Sequence, residues 1–291
     1  LRIPDIEPTL NDTQVLEFCH QGYLILEKVV PDEINQRVTE YISAHPYRSA
    51  DGGEFEDDTL LKEDWFVENV ILNPQAAGAV RSLLGKNARL PTWMYNHQST
   101  RPKPAQRWHR DGCSRCDQRI NHLQVFYYPQ DTPQELGPTE LLPGSHFRFN
   151  LAPYMGHYRN IQGVVHTAAP AGTIFLTVYP IWHRRGTSSV EGVRNMLKYI
   201  YWRMEPPQRD WITDPDFNFD DLNNFENVLY RDKPVQPGQD QFHHWHDVTK
   251  MFYWLSGKMA DFSTFLGTEE WPMGFPPRRQ PRDFHTFPGK P

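Results

Sequence analysis

Cysteine is scarce in this chain of 291 residues, which has three: Cys19, Cys113 and Cys116. So few cysteines argue against a secreted disulfide scaffold, and no signal-like apolar segment stands at the start of the sequence. We therefore expect a protein of the reducing cytoplasm. Cys113 and Cys116 form a CxxC pattern, but no second CxxC completes a four-ligand zinc site, so we interpret both as loop cysteines.

Long apolar runs and an excess of positive charge are also missing. No stretch approaches the ~18 apolar residues that a membrane-spanning helix needs. Lysine and arginine number 30 against 36 aspartate and glutamate, a net charge of -6. This balance argues against nucleic-acid binding, because phosphates need a basic face. Aromatic residues reach 13% and are typical of both β-sheet cores and small-molecule pockets. A small-molecule substrate is the expected partner.

Residues 1–88 combine helical patterns with one short strand. Cap-type residues open a helix at Asn11, and Gly22 ends it. A strand is predicted over 23–27. Three more features follow in this part: helices that open at Pro31 and at Asn73, and an acidic surface loop, a candidate lid, over 49–64.

Residues 89–204 change to short alternating runs of apolar and polar residues. Seven runs are predicted to be strands: 90–97, 106–112, 121–128, 139–142, 163–166, 172–179 and 194–203. Short strands at this frequency indicate a mainly β fold with flanking helices, a double-stranded β-helix or cupin-like jelly roll. Residues 205–291, with one helix candidate over 246–258, are predicted to be an extension packed on this core, so we expect a single domain.

His109 and Asp111 form the motif around which the site is predicted. In a strand, side chains two residues apart point to the same face, so an imidazole and a carboxylate can converge on one metal ion. His183, seventy-two residues after the aspartate, supplies a second imidazole. Two imidazoles and one carboxylate leave coordination positions open, as in non-heme Fe(II) oxygenases, whereas a structural zinc site uses four protein ligands.

A second histidine cluster stands nearer the C-terminus. His243, His244 and His246 precede Asp247, and dense imidazoles can bind a metal. The cluster also coincides with the predicted start of a helix, where Asp247 would lie near the cap. We therefore interpret these histidines as exposed helix residues rather than as a second metal site.

The second half of the predicted site carries a family resemblance. His183 follows the apolar run 172–180, and Arg194 stands eleven residues further on. With His109 and Asp111, this spacing resembles the phytanoyl-CoA dioxygenase family of iron(II)- and 2-oxoglutarate-dependent oxygenases. His-x-Asp, a distal His and an Arg eleven residues later recur in that family, and all four positions match.

The resemblance extends beyond these four residues, over about 12–204. Residues 137–146 resemble the family's turn between two core strands, and residues 18–27 resemble its N-terminal entry from helix to strand. Ser188 and Val190 depart from the pattern, since the family often has Asn and Ser at these positions. Ser188 is expected to keep a polar contact with the cosubstrate.

The resemblance implies a set of roles. Fe(II) would be held by His109, Asp111 and His183, with 2-oxoglutarate and O2 taking the open positions. Arg194 would bind the C5 carboxylate of 2-oxoglutarate, because a guanidinium matches a carboxylate with two parallel hydrogen bonds. Asn96 resembles an amide that contacts the cosubstrate in related ectoine hydroxylases.

Hydroxylation is the expected reaction, because related halogenases lack the carboxylate that Asp111 supplies. Desaturation and ring formation stay open, and so do two other functions. Zinc held by the same three ligands would make a hydrolase or lyase that activates water, and a non-catalytic binding protein could keep the scaffold. Arg194 argues against the hydrolase, which has no use for a guanidinium at the far end of a 2-oxoacid. The intact ligand set argues against the binding protein.

Arginines cluster in sequence around the two ligand segments: Arg110, Arg115, Arg119, Arg184 and Arg185. They raise the hypothesis of an anionic substrate, such as a carboxylate or a phosphate ester. Alternation along a strand points Arg110 away from the ligands on either side of it, so its charge is expected on the opposite face.

Overall fold

The structure is a computed structural model that describes residues 6–45, 55–57, 59–100, 102–111, 119–147, 154–155, 157–217 and 238–257. Its strands are β1 (Tyr23–Leu26), β2 (Phe55–Asp57), β3 (Met94–Asn96), β4 (Ser99–Thr100), β5 (Trp108–His109), β6 (His122–Tyr128), β7 (Thr139–Leu141), β8 (Tyr154–Met155), β9 (Val165–His166), β10 (Thr173–Val178), β11 (His183–Arg185), β12 (Val193–Arg194) and β13 (Leu197–Trp202). Its α-helices are α1 (Asp12–Gln21), α2 (Asp32–Ala44), α3 (Asp64–Phe66), α4 (Pro74–Leu84) and α5 (Gly238–Leu255).

Helix α1 begins and ends where the sequence predicts. The Asn11 side chain accepts a hydrogen bond from the backbone N–H of Gln14, and the Gln14 side chain accepts one from the backbone N–H of Asn11. This reciprocal pair is a capping box. Gly22 ends the helix with φ at 80°, in the left-handed region that residues with a Cβ rarely adopt. The chain turns there directly into β1.

The larger sheet has six strands in the order β1-β10-β6-β13-β3-β2, all paired antiparallel. Residues directly opposite in register share a face, and Phe126 stands opposite both Phe175 and Lys198. Tyr127 therefore points to the other face, where its hydroxyl donates to Asn35 of α2 at 2.7 Å. The helices cover this outer face, which leaves the inner face with Phe126 for the site.

The smaller sheet has five strands in the order β8-β5-β11-β7-β9, and β12 pairs with β4 in a separate ladder. The inner faces of the six-stranded and five-stranded sheets pack against each other, since the rings of Phe126 and His183 lie 5.7 Å apart. Two antiparallel sheets packed face to face, with helices on one side, confirm the predicted fold class.

Residues after the last strand pack against α1. Asp12 is fully buried, and its carboxylate pairs with Arg209 at 2.5 Å and accepts a hydrogen bond from the Trp211 indole at 2.7 Å. A buried carboxylate needs such donors to offset the loss of water. The Trp211 ring also lies 5.7 Å from Phe252 of α5. None of the described helices is both long and apolar enough to cross a membrane.

Several boundaries differ from those predicted. The predicted strand 194–203 is split into β12 and β13, and 90–97 is a strand only at β3. The run 106–112 is a strand only at β5, because β11 and β8 offer partners to these two residues alone. The acidic segment 49–64 is not wholly a loop, since β2 pairs with β3 at the sheet edge. A short edge strand depends on its partner more than on its own pattern. The last helix begins at Gly238, earlier than the 246–258 candidate.

Candidate active site

His109 on β5 and His183 on β11 are direct partners in the smaller sheet. Opposite residues of an antiparallel pair point to the same face with their Cβ atoms ~5 Å apart. The two imidazole centroids accordingly lie 4.5 Å apart. One strand pair thus brings together the two halves of the predicted motif.

Backbone carbonyls orient both imidazoles. His109 Nδ1 lies 2.9 Å from the carbonyl oxygen of Arg107, and His183 Nδ1 lies 3.0 Å from that of Ile181. A carbonyl oxygen can only accept, so each Nδ1 carries a proton and each Nε2 is the ring atom turned toward the site. This tautomer is the one that a metal ligand requires.

Asp111 stands between the two free nitrogens. Its Oδ1 lies 3.8 Å from His109 Nε2, and its Oδ2 lies 3.4 Å from His183 Nε2. Ligand atoms of all three residues lie within 4.8 Å of one another, and no second group of this kind occurs among the described residues. Two imidazoles and one carboxylate are the donor set of an open Fe(II) site, so the residues fit the predicted metal.

The charges around this triad favour cation binding. Burial and the nearby His183 lower the pKa of His109 to about 4, so its imidazole is neutral near pH 7. Burial alone would raise the pKa of Asp111, but His183 and the ammonium of Lys198 hold it well below its usual range. Lys198 reaches across from the larger sheet and donates a hydrogen bond to Asp111 Oδ2. The carboxylate therefore stays ionised and oriented.

The opposite face of the same strand pair holds two arginine–tryptophan contacts. The Cζ atom of Arg184 lies 4.6 Å from the ring centre of Trp108, and that of Arg110 lies 5.2 Å from the ring centre of Trp182. The register that joins the two histidines also brings each arginine opposite its tryptophan. Arg110 thus points away from the metal ligands, as alternation predicts.

A cavity of about 150 Å³ opens beside the two histidines, with room for about ten water molecules. Its described lining includes His97, Gln106, Phe126, Arg185, Arg194 and Lys198. No acidic residue belongs to this described lining. Lys198 is paired with Asp111, but Arg185 and Arg194 form no ion pair with a described carboxylate, and their charge favours an anionic ligand.

Arg194 lies in the cavity wall and is only 2% exposed. Its guanidinium donates to the carbonyl oxygens of Gly137 at 2.8 Å and His97 at 3.4 Å. Its Nε has no hydrogen-bond partner, and none of the described acidic residues, including exposed Glu191, forms an ion pair with it. Burying a cation without a counter-charge is costly, which favours an anion at this place.

Asn96 and Ser188 do not belong to the described cavity lining. The Asn96 amide donates to Asn195 Oδ1 at 3.1 Å, and the Ser188 hydroxyl accepts from the backbone N–H of Lys103 at 2.8 Å. The structure therefore brings together the three metal-ligand candidates and Arg194, whereas Asn96 and Ser188 lie outside the described lining of the cavity.

Lys198 and His97 line the cavity, but sequence reasoning assigned neither to the site. Burial and then the charge of Lys198 lower the pKa of His97 well below its ordinary value. Lys198 follows Arg194 by four residues within the predicted strand 194–203, where alternation would place both on one face. That alternation is the signal that could have identified Lys198.

Several predicted features fall outside the part of the chain that the structure describes. They are Cys113, Cys116, Arg115 and the side chains of His243, His244 and His246.

A sequence profile described as Phytanoyl-CoA dioxygenase (PhyH) matches residues 18–195. This span runs from α1 to just past Arg194 and holds the whole metal triad. No protein with a curated description matches the chain.

Solved structures share the fold. HygX from Streptomyces hygroscopicus, with nickel and 2-oxoglutarate bound, is 15% identical with a TM-score of 0.53, over 70% of this chain and 91% of that chain. The epimerase SnoN, in complex with Fe3+, alpha ketoglutarate and nogalamycin RO, is 17% identical with a TM-score of 0.51, over 65% and 81%. EctD from S. alaskensis, in its apoform, is 15% identical with a TM-score of 0.52, over 73% and 86%. At these identities the likeness is one of fold.

Proposed function

The chain belongs to the phytanoyl-CoA dioxygenase family of iron(II)- and 2-oxoglutarate-dependent oxygenases, and we propose that it hydroxylates a small organic molecule with release of succinate and CO2. One observation supports this most directly. The metal triad and Arg194 belong to one site, because His109, His183 and Arg194 line a single cavity. Arg194 is buried there and forms no ion pair with a described acidic residue.

The three triad residues would hold Fe(II). When bound, the iron supplies the activation of O2 and the oxidation of cosubstrate and substrate. The protein keeps its ligand atoms aimed at one point: the carbonyls of Arg107 and Ile181 orient the two imidazoles, and Lys198 orients the carboxylate. HygX and SnoN were solved with a metal and the same 2-oxoacid bound, and we extend that pair to this chain.

Arg194 would bind the distal carboxylate of 2-oxoglutarate. The Gly137 and His97 carbonyls fix the plane of its guanidinium, and its Nε remains available as a donor. Asn96 and Ser188 would support the cosubstrate indirectly. Asn96 holds Asn195, which directly follows Arg194, and Ser188 holds the backbone of a lining segment.

The substrate would approach along a row of aromatic rings that includes Tyr179, His122 and Trp202. Burial, and after it the charge of Asp111, raises the pKa of Tyr179. The His122 ring lies 4.4 Å from Tyr179 and 4.7 Å from Trp202, whose indole is 39% exposed. Such a row suits a small molecule with apolar or ring surface.

The reaction type is tested by the product. An epimerase and a carbocyclase share this fold. Hydroxylation adds one oxygen atom to the substrate mass, epimerisation leaves the mass unchanged, and ring closure removes two hydrogen atoms. A metabolite library scored by substrate-dependent succinate release, followed by mass spectrometry of the products, separates the three reactions.

An anaerobic titration tests the enzyme class. Protein loaded with Fe(II) is expected to develop a weak visible charge-transfer band as 2-oxoglutarate is added. Zinc in the same site cannot give this band. An iron-loaded protein without the band, together with hydrolysis by the zinc-loaded protein, would replace the oxygenase by a zinc hydrolase.

A further inference from the structure

We propose that Arg185 is a second guanidinium for the distal carboxylate of 2-oxoglutarate, and that Ser99 donates a hydroxyl to the same group. The proposal rests on the proposed function, because it concerns the same cosubstrate. It adds two residues of this chain to the single arginine that the sequence predicts.

Arg185 points into the cavity because of its place on β11. It follows His183 by two residues, so the two side chains share the inner face. Arg184, between them, is bonded to the Glu140 carboxylate at 2.5 Å. Arg185 donates instead to the carbonyl oxygens of Pro104 at 3.0 Å and Gly186 at 3.3 Å. Carbonyls orient a guanidinium without neutralising it, so its charge is available to a ligand.

Arg185 and Arg194 act on the same space. Both line the cavity, and they donate to neighbouring carbonyls, Arg185 to Gly186 and Arg194 to Gly137. A Cβ placed on Gly137 would lie 2.7 Å from the Gly186 oxygen. Among the described residues, no ion pair joins either arginine to a carboxylate. Two like charges held together are unfavourable until an anion enters between them. The distal carboxylate at Arg194 is that anion.

Ser99 completes the same end of the cavity. It is the direct antiparallel partner of Arg194, so the two side chains share a face with Cβ atoms ~5 Å apart. Ser99 is 6% exposed and lines the cavity, and its hydroxyl makes no hydrogen bond to any described residue. Buried hydroxyls without partners are uncommon. A carboxylate bound to Arg194 would accept the missing bond.

An anionic group of the substrate is the other ligand that Arg185 could take. The structure favours the cosubstrate, because Arg185 and Arg194 donate to adjacent carbonyls of Gly186 and Gly137. The aromatic row of Tyr179, His122 and Trp202 lies outside the described lining of the cavity. The two ligands predict opposite results in a titration of the cosubstrate alone.

Two 2-oxoacids separate binding of the distal carboxylate from binding of the iron-chelating head. 2-Oxoglutarate and 2-oxovalerate share the head that chelates iron, but only the first has a distal carboxylate. Each acid is titrated anaerobically into the Fe(II)-loaded protein, and binding is followed by the charge-transfer band. The proteins compared are wild type, Arg185→Gln, Arg185→Lys and Ser99→Ala. Arg89→Gln is the matched control, since Arg89 is exposed and absent from the described lining.

We expect Arg185→Gln to weaken 2-oxoglutarate binding about 10- to 100-fold and to leave 2-oxovalerate within threefold of wild type, as for loss of charged hydrogen bonds. Ser99→Ala should weaken 2-oxoglutarate about 3- to 10-fold. Arg185→Lys keeps the charge and stem and should retain part of the affinity, so it serves if Arg185→Gln does not fold.

Equal losses for both acids, or wild-type affinity for 2-oxoglutarate in both Arg185 variants, would overturn the assignment of Arg185. Absence of the band in the wild-type protein would instead overturn the proposed function. The two failures are therefore distinct.

Discussion

Arg184 and Trp108 face each other across β11 and β5, with the Arg184 Cζ 4.6 Å from the indole centre. The same guanidinium donates to Glu140 at 2.5 Å, and the two charged side chains are 8% and 7% exposed. The site's histidines lie on the other face of these strands. A buried ion pair and a cation–π contact thus stabilise the sheet from behind the metal ligands.

Removing Arg184 should destabilise the fold. Arg184→Ala leaves the Glu140 carboxylate buried, with the His166 Nδ1 atom 3.5 Å from it. We expect the free energy of unfolding to fall by about 3–5 kcal/mol, measured by urea denaturation at pH 7. Arg89→Ala, at an exposed position, should change it by less than about 0.5 kcal/mol. Equal effects of the two variants would contradict the structural role of Arg184.

Removing any one metal ligand should abolish turnover without unfolding the protein. His109→Ala, Asp111→Ala and His183→Ala each delete one coordination bond, and none of the three side chains belongs to the apolar core. Fe(II) binding by calorimetry and succinate release at limiting iron are the measurements, with circular dichroism as the folding control. A variant that keeps wild-type turnover at limiting iron would lose its assignment as a ligand.

Arg194 should set the affinity for 2-oxoglutarate. Each charged hydrogen bond to the carboxylate contributes ~1.5–3 kcal/mol. Because Arg194→Ala removes two of them, we expect it to weaken the apparent affinity for 2-oxoglutarate by a hundredfold or more. Arg194→Lys, which lacks the planar fork, should recover only part of it. Affinities within threefold across wild type and both variants would remove the cosubstrate assignment and most of the case against a zinc hydrolase.

A variant at Asn96 tests whether this residue contacts 2-oxoglutarate directly or only supports its site. The sequence predicts a cosubstrate contact worth ~10- to 100-fold in affinity, whereas the structure bonds the Asn96 amide to Asn195 Oδ1. That oxygen also accepts from Gln98 at 3.0 Å, so it keeps a partner in Asn96→Ala. We expect a loss of stability of about 1 kcal/mol and less than a tenfold change in 2-oxoglutarate affinity. A larger affinity loss at unchanged stability would support direct contact.

Gly22 should tolerate no side chain. Its φ is 80°, and a Cβ there would lie 2.5 Å from the buried His146 Nδ1. Left-handed strain of ~1–2 kcal/mol and overpacking of ~1–3 kcal/mol should together destabilise Gly22→Ala by about 2–5 kcal/mol. Gly163 has φ 82° with no atom within 4 Å of such a Cβ, so Gly163→Ala should show the strain alone. Thermal unfolding of both variants isolates the clash.

The local elements of this protein could be predicted because their signals are local. The cap at Asn11 and the stop at Gly22 depend on hydrogen bonds and backbone angles within a few residues. His109 and Asp111 follow from the two-residue period of a strand. Arg194 needed a comparison with a known family, because no rule of spacing by itself connects an arginine to a histidine eleven residues earlier.

Contacts between distant strands could not be predicted in this way. In the sequence, Lys198 is one charged residue of an alternating run. It contacts Asp111 only because the two sheets pack face to face. Asn96 reads as a pocket residue, but its register opposite Leu197 turns it toward the outer face. A shift of one residue would have reversed that orientation.

The sequence by itself therefore determined which residues share a face within one strand or cap one helix, since a few neighbouring dihedral angles decide this. Tertiary structure alone decided that His109 pairs with His183 and that Ser99 stands opposite Arg194. It also decided that Arg184 donates to the Glu140 carboxylate while Arg185 donates to backbone carbonyls. Strand register depends on the packing of every strand in the sheet at once, and no local pattern encodes it.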